Sequence, residues 1–179
     1  MGVQSSFGFT LGRMEKGRLN KITDVPGVRV GHVTRHEGGI NTGVTAILPH
    51  TGDMFHDKCP AACHVINGFG KSIGLVQVNE LGTIETPLLL TNTLSVGTAA
   101  TALVKYMLER NEDIGCDTGT VNPMVFECND GHLNDIRGLH VTEQNALDAL
   151  ANAADDFEEG AVGAGSGMSC YSLKGGIGS

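Results

Sequence analysis

The last stretch of the chain, Gly163 to Ser179, reads GAGSGMSCYSLKGGIGS and carries the strongest signal in the sequence. Residues 168–173 are typical of a short strand, and they lie between two glycine-rich segments. Glycine adopts backbone conformations that a Cβ forbids, including strained ones. A serine held after Gly-Gly-Ile-Gly can direct its hydroxyl at the carbonyl of the preceding peptide. This is the arrangement of a self-cleaving bond, and cleavage would free a serine whose own amine can act as base.

The position of such a cut is open. If it falls between Gly178 and Ser179, Ser179 is the nucleophile; if it falls after Ser179, the nucleophile is the next residue, outside this sequence. The sequence ends at Ser179, which favours a cut after it, but the pattern can be read either way. The alternative without chemistry is a disordered glycine-rich C-terminus.

The tail resembles the autoprocessing site of the DmpA-type aminopeptidases, a family also described as L-aminopeptidase/D-esterases or β-peptidyl aminopeptidases. The resemblance extends through most of the chain in the family's order: ITDVPGVRVGH (22–32), INGFG (66–70), ETPLLLTNT (85–93), ECNDG (127–131) and LNDIRG (133–138). In that family one precursor cuts itself into an α and a β polypeptide, and the new β N-terminus is the nucleophile. The resemblance implies that residues 1–179 are a single domain portion, the α polypeptide.

The family's fold implies an α/β protein, an αββα sandwich that the β polypeptide completes and that assembles into homo-oligomers of αβ units. The implied reaction is hydrolysis of peptides, amides or esters, which releases N-terminal residues through an acyl-enzyme. We expect it to need no cofactor and no metal. The residues expected to take part in autoprocessing are Gly175, Gly176, Gly178 and Ser179.

An N-terminal nucleophile also needs donors that stabilise the oxyanion formed when it attacks an amide. The side-chain NH₂ of asparagine is a suitable neutral donor. Asn134 is the first candidate, because it matches the segment that resembles the family's oxyanion asparagine; a structural role is equally compatible with it. Asn67 and Asn92 are secondary candidates, and Asn67, which precedes Gly68, is more typical of a turn.

A peptidase that acts at a free N-terminus needs an anion for the substrate ammonium. Members of the family often carry an acid directly after the Asn-Gly-x-Gly turn, where this sequence has Lys71. A cation there would repel an ammonium and favour a carboxylate or another acyl substrate, unless Lys71 is simply exposed. Glu80 or Glu85 could supply the missing negative charge.

The bulk composition restricts the class of protein. A chain of 179 residues buries one sizeable core, and a formal net charge of −8 argues against nucleic acid as a partner. No apolar run approaches the length of about 20 residues that spans a bilayer. Five cysteines, with no evident signal peptide, indicate reduced thiols and a cytoplasmic protein.

Three other sites can be weighed and set aside. Cys59 and Cys63, with His56 and His64 nearby, do not have the spacing of a C-x-x-C metal site, and no second pair follows. The glycines of residues 163–167 lack the strand and helix of a dinucleotide-binding loop. No Gly-x-Ser-x-Gly elbow with a strand-turn-helix context is present.

Periodicity predicts the elements. Residues up to about 17 are expected to form a flexible or docking arm. Strands are predicted at residues 28–33, 43–48, 61–66, 73–78, 87–90 and 121–128, with a polar loop over 34–42 that makes the first two a hairpin with a long connection. Helices are predicted over 95–110, capped by Ser95 or Thr93, and over 142–155, capped by Thr142.

Two other functions remain open at this point. Ornithine acetyltransferase-like enzymes also cleave themselves and move acyl groups, and Lys71 leaves room for a transferase. A non-catalytic relative could instead keep the fold as a binding or assembly module. A precursor that splits beside Ser179 would separate the enzymes from the module.

Overall fold

The computed structural model of the chain describes residues 12–179, so most of the predicted N-terminal arm lies outside the described residues. Its centre is a four-stranded sheet with the spatial order β1 (Arg29–Glu37), β2 (Ile40–Leu48), β5 (Leu88–Asn92) and β6 (Met124–Cys128). Two small ribbons pair β3 (Cys59–Pro60) with β4 (Thr83–Ile84) and β7 (Ser169–Cys170) with β8 (Leu173–Lys174). The helices are α1 (Leu75–Leu81), α2 (Val96–Leu108) and α3 (Glu143–Ala151). None of the helices in the described part of the chain is long and apolar enough to cross a membrane.

The hairpin of β1 and β2 is longer than predicted. The two strands are antiparallel over their whole length, from Arg29 opposite Leu48 to Glu37 opposite Ile40. Gly38 and Gly39 form the turn with φ of +53° and +90°, which is the positive-φ geometry of a tight two-residue hairpin. The predicted loop over 34–42 and its long connection are therefore wrong. Polar residues there belong to strand ends, and the glycine pair alone reverses the chain.

The middle of the chain corrects two further predictions. Residues 73–78 do not form a strand: Ile73 makes one bridge to Val125, and Gly74, with φ of +99°, turns the chain into α1. Residues 61–66 form no strand either, and Val65 and Ile66 are 54% and 94% exposed. The predicted strands at 87–90 and 121–128 are confirmed, with small shifts, as β5 and β6. These two strands are parallel to each other, whereas β5 is antiparallel to β2.

The helices α2 and α3 are confirmed and pack together on one face of the sheet, but α3 ends at Ala151 and not near residue 155 as predicted. Their contacts form the main core, which is built from Val44, Ala46, Leu48, Leu89, Val96, Ala99, Ala100, Ala102, Leu103, Val125, Val141, Ala146, Ala149 and Leu150. Thr142 caps α3 as predicted: its hydroxyl accepts a hydrogen bond from the Asn145 N–H, and the Asn145 side chain accepts one from the Thr142 N–H. Ser95 occupies the N-cap position of α2, as predicted, but its side chain makes no capping hydrogen bond. The Asn92 side chain instead caps the 3-10 turn Thr93–Ser95 before the helix by accepting from the Ser95 N–H at 3.0 Å.

The opposite face of the sheet, which we call the open face, is not covered by α2 and α3. At its β6 end, Val78 of α1 packs with Met124, Leu88 and Phe126. The half-buried apolar side chains of this face are Ile47, Leu88, Leu90 and Phe126. The segment after α3 crosses this face, where Thr34 Oγ1 accepts from the Gly163 N–H and Thr45 Oγ1 accepts from the Ala164 N–H. The chain therefore contributes a helix layer and a sheet layer, which confirms the α/β class.

Candidate active site

The glycines of the tail allow it to lie flat against the open face. Gly160 and Ile177 exchange two backbone hydrogen bonds of 2.8 Å each. A Cβ on Gly176 would lie 2.4 Å from the Gly160 carbonyl oxygen, and one on Gly165 would lie 2.5 Å from the Ile177 nitrogen. Both positions therefore require glycine because the two backbones approach too closely for a side chain. Within residues 12–179, no backbone hydrogen bond holds Gly178 or Ser179, so the pairing stops directly before that peptide bond.

The predicted strand at 168–173 is instead the ribbon of β7 and β8. Tyr171 and Ser172 form its turn, with φ of +51° and +62°. The turn projects from the molecule, since the Tyr171 side chain is 95% exposed. Lys174, on β8, donates to the carbonyl oxygens of Gly165 and Gly175 and so ties the ribbon to the glycine segment.

Ser179 lies against the open face. Its Oγ accepts a hydrogen bond of 2.6 Å from the Ile22 N–H. The serine lines an apolar cavity of about 360 Å³ together with Ile47, Leu90 and Ile177. A second groove of about 370 Å³, which also has Leu90 and Ile177 in its walls, continues along the ends of β5 and β6. The open face therefore holds two adjoining recesses beside the tail.

Asn134 belongs to a buried polar network. Its Nδ2 donates to Asp130 Oδ1 at 3.0 Å, and its Oδ1 accepts from the Asn41 N–H at 2.9 Å. Asp130 is fully buried, and its second oxygen accepts from the Thr42 hydroxyl at 2.6 Å. Asn92 extends the network by donating to Thr42 Oγ1 at 2.9 Å. These bonds fix the orientation of the Asn134 amide, and an NH₂ group has a second hydrogen to offer.

The structure does not bring Asn134 and Ser179 into contact: among the described residues, no hydrogen bond joins them. The oxyanion role of Asn134 stays a prediction. Asn92 is placed in the same network and also caps the segment before α2. Asn67 makes the predicted turn, because its Oδ1 accepts from the Phe69 N–H at 2.9 Å.

Lys71 is turned back on its own loop. Its Nζ donates to the Phe69 carbonyl oxygen and lies 3.8 Å from the centroid of the Phe69 ring. Glu80 is an exposed residue of α1. Glu85 is buried, and its carboxylate pairs with Lys58 Nζ at 2.5 Å, while the Asn122 N–H donates to it at 2.8 Å. The substrate-binding roles given to these residues stay predictions, and the ion pair and burial of Glu85 argue against its contact with a substrate.

The ion pair of Glu85 gives a prediction for stability. Burial alone would raise the pKa of the Glu85 carboxyl, but hydrogen bonds from Lys58 and Asn122 outweigh it and hold that pKa below its ordinary value. A carboxyl whose folded pKa is depressed stabilises the fold above its unfolded pKa, and that contribution is lost as the pH falls through the folded pKa. We expect Glu85→Gln to lower the free energy of unfolding by about 1–2 kcal/mol near neutral pH. The difference should shrink between pH of about 5 and about 3 in thermal melts.

A suitable control is Glu112→Gln, since Glu112 is exposed in the connection after α2. Its melting temperature should follow that of the unchanged protein at every pH. A Glu85→Gln deficit that stays constant down to the lowest pH would show that the ion pair with Lys58 does not stabilise the fold.

Sequence reasoning missed three residues of this region. Asp130 and Thr42 are buried and hold Asn134, and Glu127 lines the second groove. Asp130 lies inside the ECNDG motif, so the motif pointed to the region without revealing which of its acids is buried. The position of Glu127 at the end of a parallel strand is the signal that could have singled it out, because ligands of open α/β sheets lie at the carboxyl ends of such strands.

The cysteines and histidines weighed as metal ligands are not gathered into a site. Across residues 12–179, no three side chains of histidine, cysteine, aspartate or glutamate are placed to hold a metal ion. Burial raises the pKa of the Cys59 thiol, with a smaller contribution from the Asp57 carboxylate. Cys63 Sγ lies 3.1 Å from Asn79 Oδ1. Burial of Cys59 therefore favours its protonated thiol.

The structure of the chain is similar to solved structures over more than nine tenths of its length. L-aminopeptidase D-Ala-esterase/amidase from Ochrobactrum anthropi, a prototype for the serine aminopeptidases and a variant of the Ntn hydrolase fold, aligns with a TM-score of 0.82 and 35% identity over 92% of this chain and 48% of its own. The PH0078 protein from Pyrococcus horikoshii aligns with a TM-score of 0.93 and 54% identity over 97% of this chain and 52% of its own. The chain therefore has the fold of the aligned half of a variant Ntn hydrolase.

The family follows from the sequence match. The model of peptidase family S58 matches residues 20–179, and the chain belongs to this family. The β-peptidyl aminopeptidase BapA of Sphingosinicella microcystinivorans is 39% identical over 172 residues, which are 90% of this chain and 42% of that protein. The resemblance to the DmpA-type family is thereby confirmed. The chain spans about half the length of the relatives it matches.

Proposed function

We propose that this chain is the α portion of a self-cleaving aminopeptidase that removes N-terminal residues from peptides, amides or esters. The nucleophile is Ser179, freed by a cut between Gly178 and Ser179. A β polypeptide from the same precursor covers the open face and completes the αββα sandwich, and the αβ units assemble into homo-oligomers. Membership of peptidase family S58 and the aminopeptidase names of its relatives support this assignment.

The observation that carries the proposal is the way the tail is held. Paired backbones and close glycine contacts fix the chain up to Ile177. The next peptide bond, between Gly178 and Ser179, has no backbone pairing among the described residues, and a Cβ on Gly178 would meet nothing within 4 Å. A rigid support followed by one unpaired glycine is what an intramolecular attack needs, because the carbonyl can rotate towards the neighbouring hydroxyl.

The cleavage step balances without a further reagent except water. The Ser179 hydroxyl oxygen attacks the carbonyl carbon of Gly178, and the C–N bond between the two residues breaks. The nitrogen takes up the hydroxyl proton, which leaves an ester between Gly178 and Ser179 and a free amine on Ser179. Water then hydrolyses the ester, so that one polypeptide ends in a Gly178 carboxylate and the next begins with Ser179.

Substrate hydrolysis reuses the same atoms. The freed amine takes the proton of the Ser179 hydroxyl, which attacks the carbonyl carbon of the substrate. The second hydrogen of the Asn134 amide is the donor we assign to the oxyanion, with groups from the β polypeptide completing the site. The leaving amine takes the proton, and water releases the acyl group from Ser179. Asn134 and Ser179 form no hydrogen bond in this structure and must approach each other, and cleavage of the Gly178–Ser179 bond permits this because it frees Ser179 from the tail.

Intact-mass spectrometry and N-terminal sequencing of the full gene product test the proposal. We expect two polypeptides, one ending at Gly178 and one beginning with Ser179, and hydrolysis of an aminoacyl anilide. A single uncut polypeptide would favour the assembly module instead. Transfer of the acyl group to an added amine in preference to water would favour the ornithine acetyltransferase-like alternative.

A further inference from the structure

Glu127 lies where β5 and β6 end together. Glu127 is paired with Thr91 in the parallel register of these strands and is half-buried. It lines the second groove of the open face, which Gly176 and Ile177 of the tail also line. The groove adjoins the cavity that contains Ser179, since Leu90 and Ile177 belong to both.

Two donors fix the Glu127 carboxylate. One oxygen accepts from the Lys71 backbone N–H at 3.1 Å, and the other accepts from the Thr93 hydroxyl. The Asn-Gly-Phe-Gly turn approaches it closely, because a Cβ on Gly70 would lie 3.4 Å from Oε1. The carboxylate is therefore pre-oriented, which lowers the entropy that a ligand must remove on binding.

No cation of the described chain neutralises this carboxylate. Among residues 12–179, no lysine, arginine or histidine forms an ion pair with Glu127. The Lys71 ammonium, on the residue whose N–H contacts it, is directed to the Phe69 ring and carbonyl instead. Glu85, by contrast, already has Lys58 as its partner. Glu127 thus leaves an uncompensated negative charge at the wall of a largely apolar groove.

The pKa of the neighbouring Cys128 thiol also reflects the negative charge of Glu127. Burial raises the pKa of the Cys128 thiol, and the Glu127 carboxylate raises it further, with a smaller contribution from Asp130. Cys128 also lines the groove. A cation that enters there is attracted by Glu127. The Lys174 ammonium on the tail side of the groove is bound to the carbonyl oxygens of Gly165 and Gly175 and forms no ion pair with Glu127.

We propose that Glu127 binds the free ammonium group of the substrate and so restricts the enzyme to substrates with an unblocked N-terminus, an inference that rests on the proposed function. The acyl part of the substrate extends from this groove towards Ser179, past Leu90 and Ile177. Residue 71, after the Asn-Gly-Phe-Gly turn, is a lysine and carries no negative charge. Glu127 of β6 supplies that charge, and the backbone N–H of Lys71 holds the carboxylate in place.

The test compares Glu127→Gln with the unchanged enzyme, both as the full processed protein. The amide has nearly the shape of the carboxylate: its oxygen can accept from the Lys71 N–H, and its NH₂ can donate to Thr93 Oγ1, so the fold is retained. We expect KM for an alanyl anilide to rise roughly 10–100-fold, the contribution of one charge-assisted hydrogen bond, with a smaller change in kcat. Hydrolysis of a p-nitrophenyl ester that has no amino group should not change. Glu112→Gln, an equal loss of charge at an exposed site, should leave both substrates unaffected.

Two further measurements separate the possible failures. Processing beside Ser179 and hydrolysis of the amine-free ester by the unchanged enzyme report the proposed function itself; if both are absent, that function fails. If both are present and Glu127→Gln slows the two substrates equally, the ammonium role is overturned. A rise in KM for Glu80→Gln and none for Glu127→Gln would overturn it as well. Alkylation of Cys128 by iodoacetamide should be faster in Glu127→Gln, because removal of the neighbouring charge lowers the pKa of the thiol.

Discussion

Replacement of Ser179 by alanine is expected to leave the precursor as one uncut polypeptide and to reduce aminopeptidase activity by at least about 10³-fold. In the proposed mechanism alanine removes the atom that attacks the Gly178 carbonyl, and without cleavage no amine is freed to act as base. Ser179 is exposed, and its side chain makes one hydrogen bond, accepted from the Ile22 N–H. The fold should therefore be retained, and the loss should be chemical. Intact-mass spectrometry measures the first effect, and steady-state hydrolysis of an aminoacyl anilide measures the second.

The control for this prediction comes from the same tail. Ser172 is an exposed serine in the turn between β7 and β8, and Ser172→Ala should be processed and active like the unchanged protein. Ser179→Cys keeps a nucleophile and should be processed, at a changed rate. Normal processing and activity of Ser179→Ala would mean that the nucleophile is the residue after Ser179. The assignment of the cut to the Gly178–Ser179 bond would then be wrong.

The tail shows how far local sequence reasoning reaches. The sequence predicts a role for Gly176 in strained backbone geometry. In the structure Gly176 is required because its backbone lies against that of Gly160, and no local sequence pattern connects these two residues, which are sixteen positions apart. The tight turn at Gly38 and Gly39 is not predictable from the local pattern, because the polar residues around it are typical of a loop. In the structure these polar residues are the ends of β1 and β2. Helix α2 was predictable because its apolar residues recur at a period that only a helix satisfies.

The polar residues were harder to predict than the elements. The local sequence does not distinguish the buried Asp130 from the exposed Asp135, because the burial of a carboxylate depends on hydrogen-bond partners from distant segments. Thr42 and Asn134 reach Asp130 from positions 88 residues before it and 4 after it. For the same reason Glu85 was a reasonable candidate for substrate binding until its partner Lys58 was known.

Replacement of Asp130 by alanine is expected to give the largest loss of stability. Its two oxygens accept from the Thr42 hydroxyl and the Asn134 amide, and its side chain is fully buried. Each donor left without an acceptor costs about 1–3 kcal/mol, so the variant should lose roughly 2–5 kcal/mol. That corresponds to a fall in melting temperature of roughly 5–15 °C for a chain of this size. Asp155→Ala, at an exposed position, is the matched control and should change stability by less than about 0.5 kcal/mol.

Asp130 also connects stability to the proposed chemistry. If it orients Asn134, then Asp130→Ala should lower kcat by about 10²-fold or more below the unfolding temperature, as loss of an oxyanion donor does. Asn134→Ala should lower kcat by a similar factor, and the double variant should lose little beyond either single one, because the two residues act through the same amide. Additive losses would show that Asp130 acts independently of Asn134. Full activity of folded Asn134→Ala would remove the amide from the mechanism and leave the network as a purely structural brace between β2 and the segment after β6.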